Sequence, residues 1–377
     1  MTIDATRAHE SGLAALARAL PGGLNALPAC EPALERLEHR SLSAQIELLR
    51  RHRAIDDTWR DTVSIAGTIH VAPRHRWLLA RWLVALEASG AIERQGDTWR
   101  DRPDHVFTVE GDLAADYAAL GFPERLARLH QAMLDRLDAL LRDEVSMSSL
   151  LFPDGRIIES LAAYQSNPFT AYVNAACGEG LRQCPAQGPR LRLLELGGGP
   201  GLTTAAVLDA LQGRPVDYLF TDVSRLFIQA MGLPGVRHAV LDIDRDFDAQ
   251  GAPTGSFDVV VAGNVLHNAR DVDRTLRSIH AALVPGGWLV FSEAVADNRI
   301  LLTSMQFLLS PGPGQTMAGS GDARAATGEI FLDEAGWSQR LAAAGFTSLA
   351  TLPDHAAGTL RRGGQYLFLA QAAENHP

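Results

Sequence analysis

The stretch LLELGGGPGLTTAAVLDAL, Leu193 to Leu211, limits what this chain can fold into more than any other. An apolar run reaches Glu195, glycines at 197, 199 and 201 turn the chain, and a helical pattern starts at Leu202. The order is strand, glycine turn, helix. Glycine serves such a turn because a ligand can lie against bare backbone and because the torsions suit no other residue. N–H groups left free where the helix starts favour an anion. A dinucleotide loop, G-x-G-x-x-G, would place its third glycine at position 202, which is Leu202. The pattern here is instead E-x-G-x-G-x-G.

Taken alone, a turn of this kind also serves strand-to-helix packing in many α/β folds. Two further strand ends add to it. DYLFTD closes on Asp222, followed by Val223, where a carboxylate can accept hydrogen bonds from both hydroxyls of a ribose. VRHAVLD closes on Asp242, which with the adjacent Ile243 could hold an adenine. Glu195, Gly197, Gly199, Gly201, Asp222, Val223, Asp242 and Ile243 together read as a cofactor site. A spacing without a pyrophosphate loop suits S-adenosylmethionine, with S-adenosylhomocysteine as product and the methionine half along Gly197 to Gly201.

A chain of 377 residues predicts two domains more readily than one. Its net charge of −10 argues against a general nucleic-acid or membrane surface. Every basic residue is arginine, so Schiff-base chemistry and a P-loop are both excluded. Cys30, Cys177 and Cys184 are odd in number and lack zinc spacing, which favours reduced thiols and no structural metal. The start, MTIDATRAHE, has neither a basic n-region nor an apolar h-region, and no later stretch has membrane-spanning length. The expectation is a soluble, cytoplasmic protein.

Residues 1–147 read as a mainly helical first domain. Helical patterns cover Met1 to Leu20, Pro32 to Arg53 and Pro123 to Arg142. Between them Pro73 starts a helix that stops at Gly90, and the extended runs AIER and TWR follow across Gln95-Gly96-Asp97. Helix plus two-stranded ribbon predicts a winged-helix arrangement. Arg74, Arg76 and Arg81 could bind DNA through it; the acidic total charge favours a packing or dimerisation module instead, with Trp77, Leu78, Trp82 and Leu83 as core and the arginines as a solvated face.

From Leu191 on, strands alternate with helices: LRLLEL, VDYLFTD, VRHAVLD, FDVVVAG, GGWLVFSE, FTSLATL and QYLFLAQ. That predicts a seven-stranded, doubly wound, Rossmann-like α/β sheet over residues 148–377, with the last two strands an antiparallel hairpin because no helix separates them. The segments SLLFPDGRIIESLAAYQSNPF, YLFTDVSRLFIQ, FDVVVAGNVLHNARDVDRTLRSIHAALVPGGWLVFSE and WSQRLAAAGF resemble class I S-adenosylmethionine-dependent methyltransferases, and within them the C-methyltransferase domains of polyketide synthases. The resemblance covers about residues 148 to 370; LLFPDG and NVLHNARD point to the branch. Two departures stand out: Asn268-Ala269-Arg270-Asp271 replaces the usual Ala-Thr-Arg-Asp, and FLLSPGPGQTMAGSG replaces a tryptophan-rich lid segment.

His267 follows the fourth strand and Glu293 ends the fifth, its neighbour about 5 Å away. A histidine can take a proton near neutrality, and a carboxylate on its other nitrogen fixes the tautomer. The resemblance implies that His267 and Glu293 form the dyad that deprotonates a carbon between two carbonyls. The alternative reading has His267 cap its loop while Glu293 binds a backbone amide. Asn264 is read as shaping the cofactor pocket through its backbone. Tyr164, Phe169 and Tyr172 either close over cofactor and substrate or belong to the core. Asn298 to Leu309 reads as an apolar helix offering Met305 and Phe307 to the pocket or to core packing, followed by a mobile Gly/Ala-rich stretch. His70, His75, His105 and His238 lack ligand spacing, and no metal is expected.

The resulting expectation is a methyltransferase of secondary metabolism that methylates an acidic carbon beside a carbonyl. An O-methyltransferase for a phenol or carboxylic acid is the alternative, and a cofactor-sensing regulator with a DNA-binding winged helix is the second. The partner expected is a small molecule, free or held on a carrier protein, with no nucleic acid and no membrane; a homodimer is allowed.

Overall fold

The computed structural model describes residues 3–152, 155–295 and 298–373. Met1 and Thr2 of the first predicted helix, and Pro153-Asp154 of the LLFPDG motif, lie outside them. The first helix, Ala5–Ala19, begins where Asp4 accepts hydrogen bonds from the N–H groups of Thr6 and Arg7, the usual carboxylate cap on otherwise unpaired donors. It ends just before Pro21-Gly22-Gly23. The second, Leu27–Arg51, starts earlier than periodicity suggests because Pro28 occupies its first turn, and Pro32 still lies within its first two turns.

A three-stranded antiparallel sheet in the order β1-β3-β2 is made of β1 (Arg60–Asp61), β2 (Ile92–Gln95) and β3 (Thr98–Asp101). β1 is too short to carry a sequence signal. The sheet adjoins the helix Arg76–Ala88, whose Leu78, Leu79, Trp82, Leu83 and Leu86 are fully buried. Of the three arginines read as a solvated face, Arg76 is exposed as expected, while the other two are engaged. Arg81 is buried and donates to Thr327 O and Glu329, and Arg74 pairs with Asp143. The predicted helix from Pro123 to Arg142 is two helices, Glu124–Leu134 and Leu137–Leu141, broken at Asp135 and Arg136. Leucine spacing reports which side faces the core, and Met133, Leu137 and Leu140 are indeed all buried, but it does not report whether the backbone ladder continues.

The second sheet has seven strands in the order β6-β5-β4-β7-β8-β10-β9. These are β4 (Leu191–Leu196), β5 (Val216–Asp222), β6 (Val236–Val240), β7 (Phe257–Gly263), β8 (Leu283–Ala294), β9 (Phe346–Leu352) and β10 (Gln365–Ala372). The first five run parallel and β10 is antiparallel to both β8 and β9. The inner strands β7 and β8 read as near-continuous apolar runs because both faces are covered, whereas the edge strands β6 and β9 are partly exposed and more polar. One correction concerns the edge pair: β9 and β10 are antiparallel neighbours as foreseen, yet a short helix, Gly358–Arg362, lies between them.

The segment read as a helix from Asn298 to Leu309 is two 3₁₀ turns, Arg299–Thr303 and Met305–Leu309, broken at Ser304 with φ −140° and ψ −110°. Side chains from the first 150 residues take its polar groups. Trp82 Nε1 donates to Leu302 O at 2.8 Å, Thr303 and Ser41 hydroxyls meet at 2.9 Å, and Trp77 Nε1 donates to Ser310 Oγ at 2.8 Å. Tertiary partners thus override local periodicity. The Gly/Ala-rich stretch beyond is fastened rather than loose. Gly319 and Gly321 N–H groups donate to Ala269 O and Arg270 O at 3.0 and 2.8 Å.

Candidate active site

The cofactor side of the site is built where β4, next to the central strand β7, gives way to the helix Leu202–Ala210. Gly197, Gly199 and Gly201 have φ of +58°, +52° and +84°. A Cβ on Gly197 would meet Val265 Cγ2 at 2.2 Å, so this turn admits no larger residue. Its donors are engaged: Gly198 N–H meets Thr221 O, Gly199 N–H meets Asp222 Oδ2 at 3.0 Å, and Gly201 N–H meets Gly198 O. The free amides expected for an anion are therefore absent at those three positions, in keeping with the missing pyrophosphate motif.

Above the turn opens a cleft of about 730 Å³. Glu195, Gly197, Gly199, Asp222, Val223, Asp242, Ile243 and Asn264 line it; Gly201 does not, and instead forms the helix start. Glu195 is fully buried. Its Oε2 accepts from Thr204 Oγ1 at 2.7 Å and Tyr218 OH at 2.8 Å, while Oε1 has no partner among the described residues. Burial pushes this carboxyl up to about 7 against those two hydrogen bonds. Burial also raises Asp222, despite amides from Ser224 and Gly199. Four acids, Glu195, Asp222, Asp242 and Asp244, line the cleft together with two arginines, Arg245 and Arg270. An unpaired buried acceptor and an excess of carboxylates fit a ligand that brings a cation and hydroxyl donors, as S-adenosylmethionine does, and do not fit a pyrophosphate.

Asn264 couples this cleft to the next strand. With φ +53°, its N–H donates to Ser292 O at 2.7 Å and its Oδ1 accepts from Ala294 N–H at 3.1 Å. β7 is thereby stapled to β8 in the register Gly263↔Ser292, which brings the loop after β7 beside Glu293. His267 Nδ1 lies 2.7 Å from Glu293 Oε2, and the His267 N–H donates to Glu293 Oε1 at 3.1 Å. Both features of the competing sequence readings coexist, because the carboxylate binds ring and backbone amide at once. Glu293 is inaccessible, and His267 exposes 7% of its surface. That remainder faces a second cavity, of about 300 Å³, which shares Gln165, Leu202, Thr203, Gly263 and Asn264 with the cleft.

Of the predicted substrate-pocket residues, Tyr164, Phe169 and Met305 line this cavity; Tyr172 and Phe307 do not. Tyr172 is a core residue hydrogen-bonded to His9 Nδ1 at 2.6 Å, and Phe307 packs edge-on against His75. The opposite wall comes from the first 150 residues, which sequence reasoning does not assign to the site: Tyr117, Leu126, Leu129, His130 and Met133. His130 is held by the Tyr117 hydroxyl at 2.9 Å and Thr303 Oγ1 at 3.3 Å, and burial, with Arg40 adding to it, lowers its pKa to about 4. Among the described residues, no Asp, Glu or Arg lines the cavity. Only the clustering of apolar and aromatic residues at 117–133 hinted at such a wall, and core packing gives the same pattern.

Among the described residues, no group of three or more His, Cys, Asp or Glu is placed to hold a metal ion, and no helix is long and apolar enough to cross a membrane.

Residues 194–289 match the family model for a methyltransferase domain. The polyketide synthase ThaG of Burkholderia thailandensis is 31% identical over 331 residues, 82% of this chain and 6% of that protein. ThaG and the other synthases it resembles are far longer, and the chain spans 6 to 16% of their length. Among solved structures, the CurJ carbon methyltransferase superposes with a TM-score of 0.79 at 22% identity, covering 98% of this chain and 99% of that one. The DszA carbon methyltransferase does so with 0.76 at 25% identity, covering 96% of each.

Sheet order, glycine turn, acid-lined cleft and domain match together make this an S-adenosylmethionine-dependent methyltransferase of class I. Within that class it is of the polyketide-synthase C-methyltransferase type, and the likeness to DszA runs nearly the whole length of the chain.

Proposed function

We propose that the protein methylates an acidic carbon beside a carbonyl, with His267 as general base and Glu293 as the group that orients it. The observation that carries this reading is the buried 2.7 Å pair, whose unshared nitrogen, Nε2, has no hydrogen-bond partner among the described residues and belongs to a ring lining the cavity beside the cofactor cleft. With Nδ1–H given to Glu293, Nε2 is left as the acceptor, and the carboxylate stabilises the imidazolium that forms. Bound in the cleft, the cofactor supplies an electrophilic methyl group. The chain's own part is to hold the substrate carbon in line, take its proton on Nε2, and keep water away from the resulting carbanion. Glu195, Asp222 and Asp242 hold the cofactor, with Gly197, Gly199, Val223 and Ile243 shaping its bed and Asn264 the partition between the two chambers.

The cavity wall bears on the substrate. An anionic head buried there without a cation would be strongly disfavoured, and His130 is neutral at pH 7. A neutral acyl thioester, carried on a protein arm or free, suits this wall; an ionised carboxylic acid does not. Incubation with methyl-labelled S-adenosylmethionine and a panel of β-keto thioesters, β-keto acids and phenols, with NMR location of the label, tests the reading. Label on carbon supports it, and label on oxygen or preference for the free acid overturns it. His267→Ala should abolish turnover and leave cofactor affinity within about three-fold, since the ring lines the cavity and not the cleft; equal loss of both would remove His267 from the chemistry.

A further inference from the structure

The loop that carries His267 is fixed from a direction the dyad does not account for. Arg324 stands in the segment after the lid, 57 residues beyond His267, and is 2% exposed. Its guanidinium has five N–H donors, and each finds an acceptor. Nη1 donates to His267 O at 2.9 Å and Ile330 O at 2.8 Å; Nη2 donates to Ala269 O at 2.7 Å and Asp322 Oδ2 at 2.8 Å; Nε donates to Asp322 Oδ1 at 3.0 Å. Asp322 is equally buried and reaches the same loop, because its Oδ2 accepts from Val272 N–H at 2.9 Å. Burial alone would raise the Asp322 carboxyl, yet the Arg324 and Val272 hydrogen bonds hold it below the ordinary range, so the pair is ionised. Phe331 from the same segment lies against the His267 ring, with ring centres 4.8 Å apart.

We infer that Arg324 is a positioning residue for His267. This rests on His267 acting as the base. Glu293 fixes the peptide N–H and Nδ1 of His267, and Arg324 fixes its carbonyl, so the residue is tied at both ends and Nε2 can point only into the cavity. Nothing else among the described hydrogen bonds holds that carbonyl. A buried ion pair contributes little to stability on balance, so its value here lies in geometry. Lysine cannot replace it: a single ammonium has three donors and no planar fork to span three carbonyls and a carboxylate.

Proton removal can be read apart from methyl transfer. With S-adenosylhomocysteine bound and a β-keto thioester in deuterated water, the wild-type enzyme should exchange the α-hydrogen, because His267 takes the proton and a solvent deuteron returns to the same carbon. Arg324→Lys should slow this exchange and kcat together by about 10- to 100-fold, the usual effect of a slight misplacement of a catalytic group. KM and the S-adenosylmethionine Kd should stay within about two-fold. Since a broken buried pair can destabilise the fold, the double variant Arg324→Met/Asp322→Asn, which leaves no unpaired charge, is measured beside it. Exchange at the wild-type rate in a folded variant overturns the proposal while His267→Ala still abolishes exchange. Exchange that survives His267→Ala overturns instead the reading of His267 as base.

Discussion

Glu195 offers a direct measurement of how the cofactor cleft is held before the cofactor arrives. Its carboxyl lies near 7 in the folded protein against an ordinary value of 4.5, chiefly because it is fully buried. Between those values the folded chain keeps a proton that the unfolded chain has lost, so stability falls as pH rises through this window. At about 1.4 kcal/mol per pH unit, the loss attributable to Glu195 approaches about 3 kcal/mol by pH 7.5. His130 runs the other way, since its ring sits near 4 when folded and ionises more easily unfolded, so it destabilises as pH falls below 6.5. The total slope therefore mixes these two with other shifted groups such as Asp222 and His75. Glu195→Gln isolates one: the amide oxygen can still accept from Thr204 and Tyr218, and no charge forms. The difference in unfolding free energy between wild type and Glu195→Gln, followed by denaturant titration without cofactor from pH 5 to 8, should change by about 3 kcal/mol in favour of the variant. Parallel pH curves for the two proteins would refute the reasoning, and so would a difference that shifts in the opposite sense.

Other consequences follow from single contacts. Gly197→Ala places a Cβ 2.2 Å from Val265 Cγ2 at φ +58°, and should cost about 2 kcal/mol or more together with most of the cofactor affinity; Gly255→Ala, also at positive φ but with nothing within 4 Å, should cost only about 1 kcal/mol and leave binding unchanged in the same calorimetric titration. Leu129→Trp, from the half-buried far wall of the cavity, should raise KM for longer acyl substrates by about ten-fold or more while the S-adenosylmethionine Kd stays constant. Trp82→Phe removes the donor that holds Leu302 O and should lower stability by about 1 to 3 kcal/mol, read as a shift in denaturation midpoint.

The sheet was legible because its inner strands, β7 above all, are largely apolar runs ending in glycine or acid, and because the β4 turn can be filled by nothing but glycine at Gly197. His267 and Glu293 were legible as strand-end residues, since strand order makes them neighbours. What escaped depends on partners far away in the chain. Tyr117 and His130 are cavity residues only because Thr303 and the lid fold over them, more than 170 positions later. Arg324 left no signal at all, as three of its five acceptors are backbone carbonyls. Residues 298–309 looked helical because Leu301, Leu302 and Met305 recur at helical intervals, while tryptophan and serine side chains took the bonds a helix would have used. Tyr172 and Phe307 looked like pocket residues for the opposite reason: an aromatic side chain reads the same in a core as in a cavity.

The two chambers draw on different stretches of chain. Every residue lining the cofactor cleft lies between positions 165 and 316, whereas the cavity takes much of its wall from positions 34 to 133. Mutations in the first third of the gene can therefore reshape the acyl chamber without touching the cofactor bed. A chimera carrying that third from a relative should inherit the donor's substrate range and keep this protein's affinity for S-adenosylmethionine, provided the side chains that grip residues 302 to 310 travel with it.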